Sequence, residues 1–236
     1  MNKNVDCLRS VGFVGLAWIT IAITGCGDKN DVASLAPEQT AAVEALRALG
    51  AQVHIRDGLV TFVDFYSTRD TAAGVGHLKK LKRLKKLNFG STRVTDHELE
   101  NITHLSELEE LALNNTQVTD EAMPYLAKLT SLVMLNLEEN NISDAALVYL
   151  KDLKKLERLH LNKTKITNAG MHHFSGLERL KWLLLFGTAV TRDGVAELHE
   201  SLPKTEVVIT IPEDELSEEN GEADATVGIA QPSSED

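Results

Sequence analysis

Apolar residues recur along this chain in a pattern that returns every 24 residues. The aligned segments begin at Val60, Leu84, Leu108, Leu132, Leu156 and Leu180. Each opens with apolar residues at alternate places, as in LEELALNN, which predicts a strand with one face in the core. Apolar residues at spacings of three follow, as at Leu99, Ile102 and Leu105, and predict a helical turn.

These segments fit the form LxxLxLxxTxITDxxLxxLxxLxx, and six of them fill residues 60–204. The form resembles the leucine-rich repeat, in a threonine-containing version present in many bacterial secreted proteins and lipoproteins. The resemblance implies an α/β solenoid that is curved, with parallel strands on its concave face and short helices on its convex face. One repeat cannot bury its apolar face alone, so the repeats must stack.

Polar residues also recur at fixed columns of the repeat. A residue that follows each strand is expected to satisfy unpaired backbone groups, and this column holds Thr92, Thr116, Asn140, Thr164 and Thr188. A second column is expected to cap the helices at their N-termini, and it holds Thr95, Thr119, Ser143, Thr167 and Thr191. Asp96, Asp120 and Asp144 come next, where negative charge favours the helix dipole. Within the strands, the pattern predicts that Leu135 is buried and Glu138 exposed.

The segments that flank the repeats are expected to close the two ends of the core. Residues 37–59 form the predicted N-terminal cap, with a helix over 37–50 and a strand over 51–55. Residues 205–212 form a predicted C-terminal cap strand. Residues 213–236 contain nine Asp or Glu and no Lys or Arg, which predicts a disordered acidic tail.

The first 25 residues have the features of a targeting segment. Two cations, Lys3 and Arg9, precede a short apolar stretch, VGFVGLAWITIA, and ITGC follows with Cys26 at its end. This ending resembles a bacterial lipobox, which implies cleavage before Cys26 and lipid attachment to its thiol. An ordinary cleaved signal and an uncleaved anchor are the alternatives. The resemblance places the chain in a bacterial cell envelope, lipid-anchored and facing the periplasm or the cell exterior, with residues 26–36 as a linker.

Charge and composition narrow the classes of partner. The chain carries a formal net charge of −11, but most of this charge belongs to the tail, so the body is close to neutral. A near-neutral body argues against nucleic acid as a partner. The two cysteines, Cys7 and Cys26, leave no free thiol in a processed lipoprotein.

The sequence contains no recognisable catalytic or cofactor motif, and we expect neither an enzyme nor a bound cofactor. The eight histidines lack metal-ligand spacing. The pair at 172–173 is expected to be solvated surface, with chance metal binding as the alternative. LEENN at 137–141 is expected to be the end of a strand, with a calcium site as the alternative.

One charge run stands out, KKLKRLKK, in which Leu81 and Leu84 are expected to be buried while the cations form a ridge. Its members are Lys79, Lys80, Lys82, Arg83, Lys85 and Lys86. We refer to them as the basic ridge. A solvated turn, contact with anionic lipid headgroups and a cover formed by the acidic tail all remain open.

The last repeat differs from the others on its concave side. Alternation places Leu180, Leu183 and Leu185 in the core, and it places Trp182, Leu184 and Phe186 on the concave face. The equivalent positions of earlier repeats are mostly polar, and the preceding repeat has Arg158, His160 and Asn162 there. Clustered exposed apolar residues mark interaction surfaces, so these six residues form a candidate ligand site. The alternative is a local cover by the closing strand or by residues 227–229.

The solenoid is therefore expected to bind a protein partner, not yet identified, or to act as a scaffold at a membrane. A cell-wall or carbohydrate binder is a second hypothesis, and a structural envelope protein is a third. Aromatic residues make up only 5% of the chain, which favours the protein partner over stacking on sugars.

Overall fold

The computed structural model describes residues 32–68 and 71–210, together with the backbone of 228–230. The predicted signal segment, Cys26 and residues 26–31 of the predicted linker lie outside these residues, and so does nearly all of the acidic tail. Among the described residues, no helix is long and apolar enough to cross a membrane.

One nine-stranded sheet runs through the molecule, with its strands in chain order. The strands are β1 Gln52–Arg56, β2 Leu59–Asp64, β3 Lys86–Asn88, β4 Glu110–Ala112, β5 Met134–Asn136, β6 Arg158–His160, β7 Trp182–Leu185, β8 Glu206–Ile209 and β9 Gly228–Ala230. Strands β2 to β8 pair in parallel, and β1 and β9 add antiparallel edges. The parallel sheet predicted from the repeat is confirmed.

Short helices connect the strands on the other side of the core. The α-helices are α1 Pro37–Ala48, α2 Thr71–Val75, α3 Asp96–Leu99, α4 Met123–Leu126, α5 Asp144–Leu147 and α6 Arg192–Ser201. The 3-10 helices are Gly76–Lys80, Glu100–Ile102, Asp120–Ala122, Val148–Asp152 and Asn168–Gly176. Helical turns are wider than strands, so the helical side is the convex one. We call the sheet side that faces away from the helices the concave face.

The strand register keeps equivalent residues of the repeats side by side. Leu111, Leu135 and Leu159 are direct neighbours on β4, β5 and β6, and all three are fully buried. Together with the leucines of the helical turns, they form one continuous core from Leu35 to Ile209. The predicted alternation is confirmed for strands β3 to β8, where every second residue is in this core, whereas in β2 the core residues Val60 and Val63 are three places apart.

The Thr and Asn column after the strands satisfies backbone groups as predicted. The hydroxyls of Thr92, Thr164 and Thr188 each donate to a carbonyl three residues earlier, at 2.6 Å. The amide of Asn140 donates to its own repeat at Leu137 O and to the preceding repeat at Leu113 O. Asn140 thus has the structural role expected at the end of the strand.

The aspartates at the helix starts do more than favour the helix dipole. The carboxylate of Asp96 accepts hydrogen bonds from the backbone N–H and the hydroxyl of Thr119, both at 2.7 Å. Asp120 binds Ser143 in the same way, and Asp144 binds Thr167. Each carboxylate therefore holds the helix cap of the next repeat. We call this series the aspartate ladder.

The two ends of the core are closed differently. At the N-terminal end, α1 packs on the sheet and on the helix Gly76–Lys80, and β1 forms a hairpin with β2 through Asp57 and Gly58. Both turn residues have positive φ. At the C-terminal end, the predicted closing strand is β8. Residues 228–230 lie within the segment for which disorder is predicted, and their backbone extends the sheet as β9.

Candidate functional site

The six candidate residues lie together on the last repeats of the concave face. Arg158 is the direct neighbour of Trp182, and His160 is the direct neighbour of Leu184, on the parallel strands β6 and β7. Asn162 and Phe186 follow these strands, and the backbone N–H of Phe186 donates to Asn162 Oδ1 at 2.8 Å. The fold thus forms one surface, two repeats wide, which we call the concave patch.

Trp182 is the most accessible of the apolar residues in this patch. Its side chain is 41% exposed, whereas Leu184 and Phe186 are half-buried. Leu180, Leu183 and Leu185 are in the core, as the alternation predicts. The next strand, β8, pairs edge to edge with β7, and β9 pairs with β8. The described closing strands therefore lie beside Trp182 in the sheet and do not fold over it.

The orientation of Trp182 is fixed by a residue outside the predicted set. Glu206 lies directly beside Trp182 on β8, and its carboxylate accepts a hydrogen bond from the indole Nε1–H at 3.1 Å. The indole is an amphipathic group, with an apolar ring and one polar donor. Because the donor is satisfied within the protein, the accessible part of Trp182 is largely apolar surface.

His160 is a neutral residue at neutral pH. Burial, and to a smaller extent the positive charge of Arg158, lower the pKa of His160 to about 4. The ring Nδ1 lies 3.7 Å from Glu138 Oε1, but a neutral imidazole forms no ion pair there. His160 therefore offers the patch a neutral polar ring.

Glu138 was predicted to be exposed, and this prediction is wrong. Its side chain is only 25% exposed, because neighbouring concave-face side chains cover it. Burial raises the pKa of the Glu138 carboxyl, while hydrogen bonds from Asn162 and Asn136 act in the opposite direction. The backbone N–H of Glu138 also donates to Asn136 Oδ1. Glu138 is thus part of the structure beneath the patch.

Asn162 connects this carboxylate to the last repeat. Its Nδ2 donates to Glu138 Oε1, and its Oδ1 accepts from the N–H of Phe186. Both ends of the amide are engaged within the protein. Asn162 therefore positions the turn that carries Phe186, and Trp182 is the patch residue with the most free surface for a ligand.

Arg158 forms a long ion pair within the protein. Its guanidinium lies 3.8 Å from Glu110, which binds Lys86 more closely at 3.0 Å. Glu110 is two strands away from Arg158, and Met134 lies between them in the register with only 8% exposure. Since Glu110 is shared with Lys86, the positive charge of Arg158 is only partly compensated.

The basic ridge is largely neutralised by the protein itself. Arg83, Lys85 and Lys86 pair with carboxylates 24 residues later, and Lys80 pairs with Glu38 of α1 at 3.6 Å. Within residues 32–68 and 71–210, Lys79 and Lys82 have no ion-pair partner. Leu81 and Leu84 are buried, as predicted. The cations free to meet an anionic surface are therefore two and not six.

The two alternative metal sites find no support in the part of the chain that the structure describes. No group of three or more His, Cys, Asp or Glu side chains converges there. The rings of His172 and His173 are in contact on the convex side, with centroids 3.9 Å apart and planes tilted by 44°. In the LEENN segment, the Asn140 amide donates to a backbone carbonyl. The Glu139 carboxylate accepts a hydrogen bond from the ammonium group of Lys163.

Sequence reasoning missed the carboxylates that support the patch, namely Glu110, Glu138 and Glu206. A signal for them was present in the repeat columns. Residues 24 apart are lateral neighbours in this sheet, so writing the repeats in register places Glu206 beside Trp182 and Glu138 beside Asn162.

Comparisons with known proteins find one family model and several solved structures that are similar to this chain. A family model described as leucine rich repeat matches residues 130–190. An internalin (inlF) from Listeria monocytogenes is 28% identical, with a TM-score of 0.49, over 61% of this chain and 38% of that one. A leucine-rich-repeat protein from Leptospira interrogans is 25% identical, with a TM-score of 0.45, over 56% of this chain and 33% of that one. Internalin C2 from Listeria monocytogenes is 17% identical, with a TM-score of 0.44, over 67% of this chain and 88% of that one.

This chain thus spans about a third of the length of the first two structures, 38% and 33% respectively. No curated protein sequence matches it. The family match lies on the repeats whose strands form β5 to β7. Together, the 24-residue register, the parallel sheet and the helical side identify the fold of this chain as an α/β leucine-rich-repeat solenoid.

Proposed function

We propose that this chain is a lipoprotein of a bacterial cell envelope that holds a protein partner on its concave patch. Lipid on Cys26 anchors the chain to a membrane, and the solenoid acts as a non-catalytic binding module. The partner contacts Trp182, Leu184 and Phe186, and Arg158 and His160 border the contact. Asn162 supports the site from within.

This proposal rests on the exposure and the fixed orientation of Trp182. A large indole is 41% exposed on the concave face, and Glu206 holds it in one orientation. Trp and Arg are the residues most enriched among those that dominate binding energy in protein interfaces. An exposed Trp beside a partly compensated Arg, both on a rigid sheet, loses little conformational entropy when a partner binds.

A protein partner fits this surface better than a carbohydrate does. A sugar-binding face needs accessible aromatic rings on which sugar rings stack, and Phe186 is half-buried. Leu184 and the neighbouring Val208 of β8 extend the apolar area without adding a stacking platform. An aliphatic or aromatic side chain of a protein would match this mixed surface.

The anchor is supported by the sequence ITGC at the end of a short apolar stretch. Replacement of Cys26→Ser tests it directly. The wild-type chain should fractionate with membranes as a processed form that incorporates labelled palmitate. The variant should be unprocessed or soluble and unlabelled. A variant that is still processed and labelled would exclude Cys26 as the lipid site.

Affinity capture from detergent-solubilised envelopes tests the patch. We expect Trp182→Ala and Arg158→Ala to lose a partner that the wild-type chain retains. Tyr66→Ala is the matched control, because Tyr66 is 52% exposed at the opposite end of the solenoid. Equal capture by all variants would place the binding surface elsewhere. Cosedimentation with purified cell wall that depends on Trp182 would favour the carbohydrate hypothesis instead.

A further inference from the structure

A second accessible apolar surface lies on the convex side, away from the concave patch. Val148 is 42% exposed and Tyr149 is 41% exposed, in the helix Val148–Asp152. Pro124 and Tyr125 occupy the same two places one repeat earlier, where Pro124 is exposed and Tyr125 half-buried. We call these four residues the tyrosine patch. Two of the three tyrosines in the chain are in it.

Cations border this patch. Lys128 lies over the ring of Tyr125, with Nζ 5.9 Å from the centroid. Lys151, Lys154 and Lys155 follow Tyr149 at the end of the same repeat's helical turn, and all are exposed. Within the described residues, Lys128, Lys151 and Lys155 have no ion-pair partner. Glu121, Asp152 and Glu178 are exposed carboxylates on this part of the convex side, while Asp120 and Asp144 are engaged in the aspartate ladder.

Over residues 71–210, accessible bulky apolar residues at the places of Val148 and Tyr149 are confined to the middle repeats of the convex side. The places of Val148 and Tyr149 are taken by Glu100 and Asn101 two repeats earlier, and by Ala196 and Glu197 two repeats later. A convex arc touches a flat surface only at its middle. The repeats that would make this contact are those with tyrosine, valine and lysine.

Helix α1, near the start of the described chain, lies on the convex side. Helix α1 packs against the helix Gly76–Lys80, and Gln39 donates to Lys80 O at 3.4 Å, so α1 extends the helical layer. Residues 26–31 precede this layer and reach at most about 20 Å when extended. A lipid on Cys26 would therefore hold the helical layer close to the membrane.

We propose that the convex side rests on an anionic membrane surface through the tyrosine patch and its lysines, which directs the concave patch away from the membrane. This orientation rests on the lipid anchor in the proposed function. Tyrosine and valine fit the boundary between headgroups and acyl chains, and ammonium groups fit lipid phosphates. The contact need only be weak, because the tether keeps the solenoid at a high local concentration.

Depth-dependent quenching tests this orientation. The chain has no cysteine after Cys26, so a single cysteine can carry a fluorophore. Residues 26–236, which contain every described residue, would carry Cys26→Ser and an N-terminal histidine tag bound to nickel-chelating lipid. The vesicles contain phosphatidylglycerol and a lipid with a quencher in its acyl chain. Because the tag replaces the natural anchor, failure of the orientation is distinguishable from failure of lipidation.

The labelled variants are Tyr149→Cys and Trp182→Cys, which replace side chains of equal exposure on opposite sides. We expect strong quenching at position 149, little at 182, and loss of the difference in vesicles of phosphatidylcholine alone. Lys128→Gln with Lys151→Gln should lower the contact population markedly, since each lysine near such a surface favours contact by about fivefold.

Three results would overturn the proposal. Equal quenching at both positions would show that the solenoid has no fixed orientation. Quenching that depends on Lys79→Gln with Lys82→Gln, and not on Lys128 and Lys151, would assign the membrane contact to the basic ridge. A dimer in sedimentation equilibrium that Tyr149→Ser abolishes, without quenching at position 149, would assign the tyrosine patch to a second copy of the chain.

Discussion

The indole of Trp182 is hydrogen-bonded to the carboxylate of Glu206, 3.1 Å away on the next parallel strand. This bond joins the last repeat to the closing strand across the concave face. It fixes the ring of the one accessible tryptophan in the described chain, and a fixed ring can serve as a preorganised contact for a partner.

Removal of this bond should free the ring. We expect Glu206→Ala to lower the fluorescence anisotropy of Trp182, whereas Glu206→Gln keeps an acceptor and should retain the wild-type value. The measurement is made on a chain with Trp18→Phe, since Trp18 is the only other tryptophan. Equal anisotropy in all three chains would show that the hydrogen bond does not restrain the indole.

The aspartate ladder should contribute measurably to stability. Asp120→Ala leaves the backbone N–H and the hydroxyl of Ser143 without their carboxylate partner. Hydrogen bonds to charged groups contribute about 1.5–3 kcal/mol, and we expect a loss of that size in the free energy of unfolding. Glu121→Ala is the control, because Glu121 is the exposed neighbour and should cost less than about 0.5 kcal/mol. If urea titrations gave similar losses in the free energy of unfolding for both variants, the result would contradict a stabilising role of the ladder.

Gly170 is required by the same ladder. A methyl group at Gly170 would meet the carboxylate of Asp144 and would lie 2.7 Å from the side chain of Leu147. Gly170→Ala should therefore destabilise the chain by about 1–3 kcal/mol, as overpacked positions do, although alanine favours helix. Gly76→Ala is the matched control, since nothing lies within 4 Å of the added carbon. A thermal melt in which Gly170→Ala is as stable as Gly76→Ala would refute the close packing.

Acid should destabilise the chain through His160. Burial lowers the pKa of His160 from its usual 6.5 to about 4, so between these values the unfolded chain binds a proton that the folded chain excludes. This contribution to stability is complete above about pH 6.5 and is lost as the pH falls toward 4, with an upper limit of about 3 kcal/mol.

The comparison is between the wild-type chain and His160→Gln, each titrated with urea at pH 7 and pH 4.5. We expect the wild-type chain to lose more stability between these conditions than the variant. Burial raises the pKa of Glu138, which acts with the opposite sign, but Glu138 is present in both chains. An identical loss in both would show that His160 is not buried in its neutral form.

The repeat pattern predicted the architecture because each core position depends on its own residue type. Alternation alone separates Leu183 from Trp182, and the register of a repeat places Leu135 between Leu111 and Leu159. The hydrogen bonds that hold the site in place each join two residues that lie one repeat apart. Asp144 with Thr167, and Glu138 with Asn162, are neighbours only after the solenoid forms. A linear pattern of single residues does not contain that information.

Solvent exposure was harder to predict on the concave face than in the core. Glu138 and Asn136 occupy strand positions that point away from the core, yet Asn136 is only 1% exposed. Side chains on a concave sheet converge, so polar residues bury one another there. On the basic ridge, charge was harder to predict than exposure, because three of its six cations are neutralised by carboxylates that lie 24 residues later in the sequence.

Site-specific photocrosslinking in cells tests most directly whether the concave patch is the partner site. A photoreactive amino acid replaces Leu184 in the patch or, in a separate chain, Glu197 on the exposed side of α6. We predict a discrete protein adduct from position 184, lost in the presence of Arg158→Ala, and no such adduct from position 197. Absence of an adduct at 184, or an identical adduct at 197, would contradict a protein partner on this surface.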